Sequence, residues 1–162
     1  MKRRTFIQAT LAAAALLSLP RFMLASDERK GMMSDRIIRS DAEWRKILTP
    51  GQFDVLRNEA TEPAFSSPLN KEYGNGTYVC AGCELPLFES SAKFDSGTGW
   101  PSFFKPIEGH IETKRDFKII LPRTEYHCNR CGGHQGHVFN DGPQPTGQRW
   151  CNNGVALKFI PA

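Results

Sequence analysis

Several things are missing from this 162-residue chain. No apolar run reaches the roughly 20 residues that span a bilayer comfortably. There is no internal repeat beyond two short cysteine pairs, and no low-complexity tract. Cysteine is scarce, at five residues, and tryptophan and tyrosine number three each. What remains is 40% hydrophobic with 14 Gly, 11 Pro and 11 Phe, the texture of one compact domain rich in turns. A coiled coil, a collagen-like chain and a wholly disordered one are excluded. The length allows one domain plus an extension.

An excess of charge is also missing from most of the chain. The formal net charge is +4, yet Lys2, Arg3, Arg4 and Arg21 all precede the first acidic residue; the other 17 basic residues face all 17 acidic ones. The bulk of the protein is therefore charge-balanced, which predicts no nucleic-acid partner. After the basic start, Ile7 to Leu19 forms a short Ala- and Leu-rich segment, the hydrophobic region of a signal peptide. Paired arginines followed by Thr5-Phe6-Ile7 resemble a twin-arginine export signal, so residues 1–25 are expected to direct the folded protein to a bacterial periplasm. Met23-Leu24-Ala25 is a poor cleavage site, which keeps an uncleaved membrane anchor as the alternative. Residues 26–40 read as a solvated linker and 41–162 as the domain.

Ser40-Asp41-Ala42-Glu43 has capping-box spacing and precedes Trp44, Ile47 and Leu48 at helical intervals. Thr49-Pro50-Gly51-Gln52 repeats the signal ahead of Phe53 and Leu56, with proline at the first helical position. Two short helices are predicted. Beyond Thr61-Glu62-Pro63, runs of aromatic and β-branched residues alternate with turn formers. Strands are predicted at Thr77 to Cys80, His110 to Thr113, Phe117 to Leu121, Glu125 to Cys128, Gly136 to Phe139, Gln148 to Cys151 and Ala156 to Ile160. The expected fold is a mainly β, antiparallel domain with helices at its N-terminal end.

Four of the cysteines form two Cys-x-x-Cys knuckles, Cys80/Cys83 and Cys128/Cys131, separated by 44 residues. A two-residue spacer lets both thiolates of one turn face one ion, and two such turns complete a tetrahedral site for one structural Zn²⁺. Two disulfides are the competing reading for an exported chain. A thioredoxin-like redox pair wants a βαβ setting, and Pro86 interrupts any helix after Cys83. Haem attachment wants histidine after the second cysteine, where Glu84 and Gly132 stand.

The fifth cysteine, Cys151, has no partner by count. Arg149, two positions away, lies on its face of a strand and suits a thiolate. His134 and His137 precede it in a Gly-rich stretch. A thiol beside proton donors fits acyl transfer through a Cys–His pair, and equally fits reduction of an oxidised sulfur. Spacing does not choose between them.

The run FDSGTGWPSF from Phe94 to Phe103, the run HQGHVFNDGPQPTGQRWCNN from His134 to Asn153 and the two knuckles closely resemble the B-type methionine sulfoxide reductases. The resemblance covers about residues 41–160. It implies two antiparallel sheets with short N-terminal helices, a structural zinc remote from the active site, and reduction of the R epimer of methionine sulfoxide, free or in proteins. Cys151 then corresponds to the nucleophile, His134 and His137 to the pair that binds and protonates the sulfoxide oxygen, Asn153 to a further polar member, Arg149 to the residue that holds the thiolate, and Trp100 to the ring that meets the substrate methyl group. One departure stands out: many family members carry, at Thr98, a cysteine that resolves the Cys151 sulfenic acid. Thr98 cannot. An external reductant is therefore expected, from a thioredoxin-like partner or a small thiol, for an enzyme acting as a monomer. The rival classes are a zinc-stabilised binding module and an exported disulfide oxidoreductase.

Overall fold

The computed structural model describes residues 36–118 and 121–162. The export signal expected in residues 1–25, and the expected linker up to residue 35, lie outside the described residues. Among the described residues two α-helices come first, α1 (Asp41–Ile47) and α2 (Pro50–Asn58). Both form the predicted capping boxes: Ser40 accepts from the Glu43 N–H and Thr49 from the Gln52 N–H, with the Glu43 and Gln52 side chains reaching back. Each such cap contributes about 1 kcal/mol, which helices this short need. Their buried residues, Trp44, Phe53, Val55 and Leu56, fasten them to the core.

Nine strands follow: β1 (Gly76–Cys80), β2 (Pro86–Glu89), β3 (Lys93–Phe94), β4 (Ser102–Phe103), β5 (Ile111–Asp116), β6 (Arg123–Cys128), β7 (His134–Phe139), β8 (Arg149–Asn152) and β9 (Leu157–Pro161). They make two antiparallel sheets, ordered β2-β1-β9 and β3-β4-β8-β7-β6-β5. An aromatic ladder holds the sheets together. Phe88 and Phe103 stack at 4.1 Å, Tyr78 meets Phe103 edge-on at 4.9 Å, and Tyr126 meets Trp150 at 5.1 Å. Tyr78, Phe88, Phe103 and Tyr126 are fully buried, and burying each side chain is worth roughly 1.5 to 3 kcal/mol.

The strand predicted over Phe117 to Leu121 is not formed by the described residues there. Phe117, Lys118 and Leu121 lie in the β5–β6 connection, and Phe117 and Leu121 are exposed. The Asp116 carboxylate accepts the Lys118 N–H at 2.8 Å, which turns the chain, and Pro122 follows. β5 instead runs on to Asp116. Residues ahead of α1 are docked: the Ile37 N–H donates to the Arg130 carbonyl at 2.8 Å, and Arg36 contacts both Glu112 oxygens.

Candidate active site

Both knuckles are built alike. The N–H of Glu84 donates to the Cys80 carbonyl and that of Gly132 to the Cys128 carbonyl, each at 2.8 Å. Both donors take the left-handed conformation, φ 60° and 67°, which costs glycine little and glutamate more. The two turns face each other across the sheets. All four sulfurs lie within 4.8 Å of one another, with Cys80–Cys131 at 3.6 Å and Cys83–Cys128 at 3.4 Å. A tetrahedron with metal–sulfur bonds of about 2.3 Å has edges of about 3.8 Å, so the donors fit a single ion. Gln135, itself fully buried, donates its side-chain N–H to the Cys80 sulfur at 3.4 Å. Trp44 and Leu56 close the cluster from the helix side. These residues can hold a metal ion.

Cys151 lies elsewhere, on β8 in the middle of the larger sheet. Ser102 of β4 is opposite it on one side and His137 of β7 on the other. Gly136 makes this possible, since a Cβ there would run into the Cys151 carbonyl. His134 and His137 are three apart and would point to opposite faces of a regular strand. A bulge undoes that. Tyr126 pairs with Gly136 and His127 with His134, leaving Gln135 as the extra residue. The two imidazoles come to one side, ring centroids 5.4 Å apart.

A pocket of about 120 Å³ opens above Cys151, walled by Thr61, Trp100, Arg123, Gly136, His137, Phe139, Asn152 and Asn153. A larger cleft of about 720 Å³ between α2, residues 60–69 and the start of β9 contains neither thiol nor imidazole. The smaller pocket is therefore the candidate active site. Of the residues picked from the sequence, Cys151, His137, Asn153 and Trp100 line it directly; His134 sits buried beside His137.

Each polar group has a backing partner that sequence reasoning missed. The His134 Nδ1–H donates to Glu125 at 2.6 Å, and the His137 Nε2–H to Asp116 at 2.8 Å. Arg149 is held bidentately by Asp141, at 2.8 and 2.9 Å, and lies over the Phe139 ring. Glu62 is a hub: its N–H donates to Asn153 Oδ1, its carbonyl accepts the Trp100 indole N–H at 3.1 Å, and its carboxylate takes the N–H groups of Gly154 and Val155. The Asn153 amide is thus occupied at both ends, its Nδ2 donating to the Gln135 carbonyl. These links join residues 8 to 93 positions apart in the chain. The available signal was an acidic residue, Glu125, opening a predicted strand whose other members are Tyr126, His127 and Cys128.

Burial pushes the Cys151 thiol above its ordinary pKa; the Arg149 charge and hydrogen bonding from Thr98 and Arg149 pull the other way but do not win. At neutral pH the resting site holds a thiol. Burial pulls His137 below the usual imidazole value, against the opposing bond to Asp116. Burial raises the Glu125 carboxyl, but hydrogen bonds from His127 and His134 and their charge outweigh it, leaving it at about 2.

A mainly β domain with a closed four-thiol cluster on one side and a single thiol facing two imidazoles on the other is the frame of a thiol-dependent oxidoreductase. Residues 48–161 match the SelR domain family. The chain is 51% identical over 136 residues to the peptide methionine sulfoxide reductase MsrB of Bradyrhizobium diazoefficiens, covering 83% of this chain and 98% of that one. Identity is 49% over 128 residues with its namesake from Leptospira interrogans, covering 78% and 98%. It is 51% over 121 residues with the chloroplastic peptide methionine sulfoxide reductase B1 of Arabidopsis thaliana, covering 74% and 60%. The chain belongs to the SelR-domain family of B-type peptide methionine sulfoxide reductases, enzymes that reduce methionine sulfoxide.

Proposed function

We propose that this enzyme reduces the R epimer of methionine sulfoxide through Cys151, leaving a sulfenic acid that an external thiol removes. The observation that carries this reading is the placement of Cys151 opposite His137 in a pocket walled by Trp100. The Cys151 sulfur attacks the sulfoxide sulfur to form a transient S–S bond; the S–O bond of the substrate breaks as the protonated oxygen passes to Cys151, and the S–S bond breaks to release the thioether and leave Cys151 as S–OH. The substrate sulfur gains two electrons and becomes a thioether while Cys151 is oxidised. The proton leaves the thiol and finishes on the transferred oxygen, so the pair of imidazoles moves it rather than supplying a net proton. A thiol in the resting site suits this sequence: nucleophile and acid are charged up together only when substrate arrives.

Trp100, fixed by its bond to Glu62, presents a ring to the substrate methyl group. A misplaced methyl costs about 1 to 3 kcal/mol, roughly 10- to 200-fold, which sorts the two epimers. Asn153 acts as a positioning residue, since both ends of its amide are already bonded. Arg149 steadies the developing thiolate from its berth on Asp141.

We propose Zn²⁺ for the four-thiol cluster, held by Cys80, Cys83, Cys128 and Cys131, where it would supply a structural cross-link. With those four thiols engaged and Thr98 beside Cys151, an external thiol from a thioredoxin-like protein or a small molecule is left as reductant. An export signal in residues 1–25, acting on a domain already folded in the cytoplasm, completes the proposal. The deciding assay uses the two separated epimers with dithiothreitol as reductant. The R epimer is turned over, the S epimer is not, and Cys151→Ser is inactive; S turnover or an active Cys151→Ser variant would sink the reading.

A further inference from the structure

Three non-glycine residues among those described have positive φ: Glu59, Phe65 and Glu84, at 55°, 64° and 60°. Glu59 ends α2 and Glu84 closes the first knuckle. Phe65 sits in a tight turn, in which the Ser66 N–H donates to the Pro63 carbonyl at 3.3 Å. That position suits glycine or asparagine, and a bulky ring there is an outlier. Burial does not account for it, since Phe65 is 73% exposed. The ring is nevertheless held. The Phe65 N–H donates to the Gly99 carbonyl at 2.7 Å, the Asn70 side chain donates to the same oxygen at 2.8 Å, and a Cβ on Gly99 would run into the ring. One side of Phe65 therefore lies against the loop that carries Thr98 and Trp100, and the rest faces solvent. Beside it is a hollow of about 160 Å³ walled by Phe65, Tyr73, Phe94 and Trp100, and Trp100 is the wall it shares with the Cys151 pocket. Tyr73 is exposed too. Lys71 and Asp95, also in the wall, cancel in charge, which leaves apolar contact as the recognition on offer. Exposed apolar residues scattered singly need no explanation, but aromatics gathered around a hollow next to an active site, one of them in a disfavoured backbone conformation, mark a binding surface.

We propose that this hollow is a subsite for an apolar side chain of a polypeptide substrate, one or two residues away from the methionine sulfoxide. The inference rests on the reading of Cys151 and Trp100 given under the proposed function and extends it to protein-bound substrate. A ligand that reaches both sides of the Trp100 wall places its sulfoxide side chain in the Cys151 pocket and a neighbouring side chain in the hollow. An extended chain advances about 3.3 Å per residue, so one or two residues step over a single indole ring. Free methionine sulfoxide has nothing to put there. The thiol reductant is the rival occupant, but it needs to reach only the Cys151 sulfur, whereas a polypeptide substrate must lay chain on both sides of the residue being reduced. Walls of Phe65, Tyr73 and Phe94 favour an aromatic or large aliphatic occupant, whose ring or branches pack against theirs.

The test uses blocked pentapeptides with the R epimer of methionine sulfoxide at the centre and glycine elsewhere, in which each glycine in turn becomes phenylalanine or glutamine, with dithiothreitol as reductant. At one position or more, phenylalanine should raise kcat/KM by about fivefold over glycine, through KM, and glutamine should not. Phe65→Asn removes the ring and keeps a residue that the turn accepts; Phe65→Gly does the same should the first variant not fold. In either, the phenylalanine-to-glycine ratio should collapse to about one, while Phe65→Tyr should keep it. No preference for phenylalanine in the wild type, an equal preference for glutamine, or a ratio that survives loss of the ring overturns the proposal. A thioredoxin is then put in place of dithiothreitol: an effect of losing the ring that is seen only with that reductant assigns Phe65 to reductant docking and likewise overturns it. Failure of the underlying reading looks different, because the wild type would then leave even the all-glycine peptide unreduced.

Discussion

Two groups of cysteine occupy one small domain and share nothing but their element. The four knuckle sulfurs look at one another; Cys80, Cys128 and Cys131 are buried, and an N–H from Gln135 is aimed at Cys80. Cys151 is half-buried, shares its pocket with no other sulfur among the described residues, and has His137 and Trp100 in the walls of that pocket. The first arrangement is closed and satisfied, the second open and incomplete. Burial and partners, rather than the side chain itself, set whether a thiol is a strut or a reagent.

Removing the proposed zinc should break the first region and take the second with it. Structural zinc contributes about 10 to 16 kcal/mol of apparent binding free energy in small peptides, comparable to the roughly 5 to 15 kcal/mol by which a whole domain is stable. Trp44, Leu56 and both sheets meet at the cluster, so chelation under mild heating should abolish the cooperative melt followed by circular dichroism. A metal-free protein that still melts cooperatively near the original temperature would show that the thiols are not the staple.

Thr98→Cys should change the second region while leaving the first untouched. Thr98 hydrogen-bonds towards Cys151, from a loop tied to β4 through Ser96 and Ser102. A thiol there should meet the Cys151 sulfenic acid, expel water and form a disulfide. Mass spectrometry after one turnover should show wild-type Cys151 carrying one extra oxygen, and the variant two hydrogens lighter with none. Metal content and melting temperature should stay within error. An oxygen retained on the variant would mean that the two side chains do not meet.

The closed region was largely legible in the sequence and the open one only in part. Knuckle spacing is local, and so are the capping boxes at Ser40 and Thr49, because each ligand or cap finds its partner within three residues. β2 escaped because Pro86 opens it, and β3 and β4 because two residues give no alternation. Phe117 to Leu121 has the composition of a strand, but the Asp116 turn outweighs propensity. The bulge at Gln135 left no mark, although it alone puts His134 and His137 on one side. Glu125, Asp116, Asp141 and Glu62 act across 8 to 93 residues of chain, a distance that the family motifs record only as isolated letters.

The finest test of the contrast is alkylation against pH. Burial holds Cys151 as a thiol above its ordinary pKa, with Arg149 only partly offsetting it. A raised pKa means the reactive thiolate grows in only as pH climbs past that of free cysteine. Iodoacetamide should therefore label Cys151 slowly at pH 7, with the rate still rising where a model thiol has levelled off. Metal-loaded knuckle thiols should remain unlabelled throughout. Arg149→Met removes the one charge that opposes burial, so it should push the half-point higher still and slow labelling at every pH below it. A half-point below that of the model thiol in wild type would mean that Arg149 outweighs burial, and that the enzyme rests with a thiolate already formed.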